Sequence, residues 1–156
     1  IEVVKTNNQK SLTDYVQAKY SDQEFKPSPC HRIDRNTSGL VLFAKNKEAL
    51  EVLLNKFKNH EIEKHYLALV YGIPKEKSKK CEAYLFKDSK KSKVYIYDDF
   101  RKGSQKIITI YNVLEEYKDS NTALLDIQIE TGRTHQIRAH LAHLGYPIIG
   151  DRKIWH

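Results

Sequence analysis

Methionine is missing from all 156 residues, tryptophan occurs once and cysteine only twice. Cys30 and Cys81 stand at no motif spacing, so they support neither a disulfide framework nor a zinc site. No apolar run approaches the length of a transmembrane helix, and no signal peptide opens the chain. The expected compartment is therefore the cytoplasm, with no membrane partner. Internal repeats and low-complexity tracts are also absent. With no methionine and Ile1 in front, the sequence is expected to be a piece of a longer polypeptide.

What is present suits a folded α+β domain. Apolar residues make up 40% of the chain, enough for a hydrophobic core without metals or disulfides. Lysine and arginine number 27 against 20 acidic residues, a formal charge of +7. That surplus suits a polyanionic partner such as nucleic acid or an acidic membrane, and equally a lysine-rich surface that serves solubility. The length predicts one domain over residues 1–156, and no apolar patch stands out, so a monomer is expected.

Along the chain, "SLTDYVQAKY" spaces Leu12, Tyr15, Val16 and Lys19 as a helix, with Ser11 placed to cap it. The prolines of "SDQEFKPSP" break that pattern. "GLVLFAK" is a continuous apolar run and predicts a buried strand. "NKEALEVLLNKFKNH" predicts an amphipathic helix capped by Asn46, with Leu50, Leu53, Leu54 and Phe57 on one face. "KHYLALVYG" alternates, putting Tyr66, Ala68 and Val70 on one side of a strand. "PKEKSKK" predicts a charged loop. Two strand pairs follow, "CEAYLF" with "KVYIY", then "KIITIYNVLEEY" with "NTALLDIQIE" across the turn "KDSN". A final helix is expected from about Thr134 to Gly145. This order predicts a mostly antiparallel mixed sheet with flanking helices.

Polar groups gather beside buried elements in three places. The first is His31-Arg32-Ile33-Asp34-Arg35 with Thr37, Ser38 and Gly39. The second is Tyr66. The third is Arg133-Thr134-His135-Gln136-Ile137-Arg138, where a helix start and two arginines form an anion-binding arrangement. Each also has a plain structural explanation. Asp34 can cap the turn "DRNTSG", and Tyr66 can be ordinary strand packing. His140 and His143 have helical spacing, but no carboxylate or cysteine joins them, so packing or phosphate contact suits them better than a metal. A nuclease built on His31, His135 and His140 is a rival reading, and the lysine-rich loops suit solvated surface as well as phosphate contact.

In sequence order, "HRIDRNTSGLVLFAKN", "KHYLALVYG" and "ETGRTHQIRAHLAHLGYPIIGD" resemble three motifs of the RluA-type pseudouridine synthases. The likeness covers about residues 27–151. It implies the pseudouridine synthase catalytic-domain fold, with the first strand and the C-terminal end outside this sequence. It implies isomerisation of uridine to pseudouridine in RNA, without metal or cofactor, and no obligatory protein partner. The version of the first motif looks most like members that act on large-subunit ribosomal RNA; transfer RNA and a non-catalytic RNA-binding module are the alternatives. By resemblance Asp34 is the catalytic carboxylate, Arg138 its hydrogen-bonded partner, and Tyr66 the ring that lies against the uracil. Arg32 corresponds to the residue that prises the uridine out of the stack, and Arg133 and His135 match substrate-binding positions. His31, Thr37 and Ser38 are expected to shape the turn that carries Asp34.

Overall fold

The computed structural model describes residues 1–153 and 155. They form two compact units, Ile1–Ile62 and Glu63–His156.

In the first unit, α1 (Leu12–Lys19) starts at a reciprocal cap. The Ser11 hydroxyl accepts from Asp14 N–H, while Asp14 accepts from Ser11 N–H at 2.8 Å. The N-terminal segment anchors this helix: Val3 O accepts from the Thr13 hydroxyl at 2.6 Å and from its N–H at 3.1 Å. Two very short strands, β1 (Ser28–Pro29) and β2 (Phe43–Ala44), pair antiparallel. The long helix α2 (Lys47–Lys58) begins at Asn46, whose side chain accepts from Ala49 N–H at 2.7 Å.

The buried strand expected over "GLVLFAK" is reduced to the two residues of β2. Leu40 is 94% exposed and Leu42 43%; Ala44 alone in the run is fully buried. An apolar run becomes a buried strand only where neighbouring strands and a packed face receive it. Among the described residues the only ladder this run joins is the two-residue β1, so most of it stays loop.

The second unit is a five-stranded antiparallel sheet. Its strands are β3 (Lys64–Tyr71), β4 (Ser78–Asp88), β5 (Lys93–Tyr97), β6 (Gln105–Tyr117) and β7 (Thr122–Ile129), in spatial order β3-β7-β6-β4-β5. One face packs under α3 (Gln136–His143): Ala68, Val70, Leu125 and Ile127 of the sheet cluster with Leu141 and Ile137. Tyr66 borders the same cluster, half-buried. The other face of β3 shows Leu67, Leu69 and Tyr71 to solvent. The "PKEKSKK" segment is a loop only in its first part, because β6 offers ladder partners to Ser78, Lys79 and Lys80. The β6–β7 turn closes at Asn121, which adopts a left-handed φ of 52°.

α3 starts two residues later than expected. His135 sits in the left-handed region (φ 54°, ψ 25°), which keeps Thr134 outside the helix. The helix ends where the sequence says it should, with Gly145 at φ 93° taking the turn that L-residues resist. No helix among the described residues is long and apolar enough to cross a membrane.

Candidate active site

In the first unit, Asp34 lies on the loop of residues 31–42. The β1–β2 ladder closes the neck of this loop, and Cys30 N–H adds a bond to Leu42 O at 2.9 Å. His31 tightens the neck further. Its Nε2 accepts from Leu42 N–H at 2.9 Å, and its ring stacks on Phe57 of α2, centroids 5.1 Å apart. An accepting Nε2 fixes the neutral tautomer with the proton on Nδ1. Within the loop, Asp34 O accepts from Thr37 N–H at 3.0 Å, closing the turn. Asp34 is half-buried there, whereas Arg32, Arg35 and Ser38 are exposed. The Glu2 carboxyl is held below its usual range, chiefly by Thr6 and more weakly by the positive charges of Arg35 and Arg32. The turn-shaping part expected of His31 is therefore visible as a clamp at the neck.

In the second unit, the head of α3 is built around a buried amide. Gln136, 2% exposed, accepts at Oε1 from the Thr131 hydroxyl (2.7 Å) and from Arg133 N–H (3.2 Å). Its Nε2 donates to Ile108 O and to Thr109 Oγ1, both at 3.1 Å. This fixes the Thr131–Arg133 turn and leaves Arg133 exposed at its apex. Beneath it, His140 is 1% exposed and shares a 2.8 Å hydrogen bond with Thr109. Burial lowers its pKa to about 4, so it is a neutral packing residue. The exposed partner of the pair, His143, meets Asp98 at 2.8 Å. Among the described residues no group of three or more His, Cys, Asp or Glu side chains is arranged to hold a metal ion.

Arg138 is oriented by a residue to which the sequence assigned no role. Asp151 accepts from its Nε at 2.9 Å and from its Nη2 at 2.8 Å, and the side chain of Asp151 is only 6% exposed. Trp155 Nε1–H and Lys153 N–H add bonds of 3.0 and 3.1 Å to the same carboxylate. These bonds, Arg138 first, hold the Asp151 pKa at about 2 against the opposing effect of burial. The guanidinium also lies 4.9 Å from the Trp155 ring, and its Nη1 is 3.3 Å from His135 Nδ1. A planar fork bound on one edge and stacked on one face has a fixed direction. Asp151 closes the third quoted motif, and that membership was the only sign of it in the sequence.

The structure thus gathers Arg133, His135 and Arg138 at one end of α3, with Tyr66 on the same face of the sheet. It places Arg32 and Asp34 on the clamped loop of the first unit. The family model described as RNA pseudouridylate synthase matches residues 2–143. The chain belongs to this family. An uncharacterized RNA pseudouridine synthase of Chloroflexus aurantiacus is 38% identical over 145 residues, 90% of this chain and 44% of that protein. Ribosomal large subunit pseudouridine synthase C of Buchnera aphidicola is 39% identical, over 79% of this chain and 38% of its own length. Among solved structures, human RNA pseudouridylate synthase domain containing 1 superposes with a TM-score of 0.75 at 28% identity, covering 90% of this chain and 58% of that one. The chain therefore spans less than half the length of these two curated relatives. As in the family, the architecture is α+β with an antiparallel sheet.

Proposed function

We propose that the chain carries the catalytic machinery of an RNA pseudouridine synthase. The observation that carries the proposal is the family match across residues 2–143, which includes all three motif segments as far as His143. In the reaction the C1′–N1 bond of a uridine breaks, the uracil turns, and a C1′–C5 bond forms while C5 gives up its proton and N1 takes one up. Nothing is added or lost overall, so neither cofactor nor metal is called for.

Asp34 is the catalytic carboxylate, acting on the sugar as positive character builds at C1′. Its clamped, half-buried loop suits a group that must be preorganised, and Arg138 is its proposed hydrogen-bonding partner, keeping it ionised. Tyr66 lies against the uracil, Arg32 helps to extrude the nucleotide, and Arg133 and His135 bind the substrate. Both units then act as parts of one catalytic domain, working as a monomer in the cytoplasm without a protein partner.

Large-subunit ribosomal RNA is the favoured substrate, supported by the name of the Buchnera aphidicola relative. Transfer RNA is the alternative. Pseudouridine mapping in ribosomal and transfer RNA from cells with and without the gene tests this choice. Loss of a single ribosomal site is expected; loss confined to transfer RNA would overturn the ribosomal assignment.

A further inference from the structure

Lys64 opens β3 two residues before Tyr66, and the pleat of the strand puts both side chains on one face of the sheet. Its side chain reaches the turn that precedes α3: a methyl group placed on Gly132 would lie 2.9 Å from Lys64 Nζ. Gly132 is not among the glycines with positive φ, so what it contributes here is room for an ammonium group. The lysine is half-buried, and burial pulls its pKa below the usual lysine range.

Among the described residues this ammonium makes no hydrogen bond and no ion pair. Nearby acids are engaged elsewhere. Glu130, next to Lys64's ladder partner Ile129, pairs with Lys80 at 3.6 Å. Asp126 and Glu63 flank His65, at 3.1 and 3.3 Å. Removing a cation from water without a counter-charge costs free energy that an arriving anion recovers. The exposed Arg133 follows Gly132 on the same turn, with its backbone N–H held by Gln136, so the turn that Lys64 reaches carries a second cationic residue.

We propose that Lys64 is a phosphate-binding residue of the substrate site, its ammonium meeting a phosphodiester of the bound RNA over the Gly132 turn with Arg133 beside it. This rests on the pseudouridine synthase reading and extends it to a residue that no motif role covers. A phosphate fits because its full charge is present before any bond breaks, and a partly dehydrated ammonium binds it more strongly than a solvated one.

Two substitutions separate charge from packing. Lys64→Met keeps the aliphatic stem and removes the charge; Lys64→Arg keeps the charge. The kinetic probe is total ribosomal RNA tritiated at uridine C5, and the binding probe is a fluorescein-labelled 20-nucleotide uridine-rich hairpin. Lys64→Met should raise KM about tenfold with kcat within about twofold, and Lys64→Arg should restore most of the loss. The slope of log affinity against log salt should flatten by about 0.7–0.9, the signature of one lost phosphate contact. Gly132→Ala, whose methyl group would lie 2.9 Å from Nζ and push the ammonium only slightly aside, should show the same change more weakly. Lys64→Gln, which also removes the charge, decides the matter if Lys64→Met does not fold. A fall in kcat at unchanged KM and salt slope would overturn the proposal and assign the ammonium to the base. Wild-type KM and salt slope in the folded charge-removing variant would also overturn it. The salt slope needs no turnover, so absence of tritium release by the unaltered chain would strike the proposed reaction and leave this test standing.

Discussion

Arg138 holds Asp151 through a two-pronged ion pair, Nε at 2.9 Å and Nη2 at 2.8 Å, with the carboxylate almost wholly buried. The pair gives the Arg138 guanidinium a fixed direction, supplied by a residue thirteen positions along the chain.

The first prediction concerns this pair. Asp151 has a depressed pKa of about 2, so its stabilising contribution is fully present above the unfolded-state value near 3.8 and is lost as pH falls through 2. A displacement of that size corresponds to about 2 kcal/mol. Asp151→Asn should lower stability by about that amount at pH 7 in urea unfolding. The gap to wild type should narrow between pH 4 and pH 2.

Much of this was legible beforehand, where local chemistry decides. Ser11 and Asn46 cap their helices, the alternation of β3 sets which side chains meet the core, and Gly145 ends α3, all as spacing and residue type imply. The failures are places where distant chain decides. "GLVLFAK" looks like a core strand, yet among the described residues its only ladder is two residues long. Lys79 and Lys80 look like loop, yet β6 lies alongside and extends β4 to take them in. Asp151 showed only its place in the third motif and not its partner, because the turn after α3 is what brings Arg138 within reach.

His140 should govern stability on the acid side. Its folded-state pKa near 4 lies below the unfolded 6.5, so its contribution is intact above pH 6.5 and is lost as pH falls towards 4. The loss amounts to roughly 3 kcal/mol across that window. His140→Gln should flatten the pH dependence of the unfolding free energy between pH 6.5 and 4, measured by urea titration at each pH.

Gln136 joins Thr131, Arg133, Ile108 and Thr109 through one buried amide. Gln136→Leu keeps much of the volume but leaves several polar groups without partners. A cost on the order of 3 kcal/mol is expected in chemical denaturation, because desolvated, unsatisfied groups are expensive. Gln136→Glu should be milder at low pH than at high pH, since the protonated acid can still donate to one acceptor.

His31 clamps the loop that carries Asp34. His31→Ala removes one hydrogen bond and one stacked ring, costing about 1–2 kcal/mol of stability. The larger effect should fall on turnover, with kcat down about tenfold and KM little changed, because a loosened loop misplaces the carboxylate without removing RNA contacts.

The central claim is that Asp34 carries out base detachment and rejoining at carbon 5. Tritium release from RNA labelled at uridine C5, compared between the unaltered protein and Asp34→Ala, tests it most directly. The account predicts steady release of tritium to water by the unaltered protein and none above background by Asp34→Ala, with RNA length unchanged. Equal release by both proteins would contradict it.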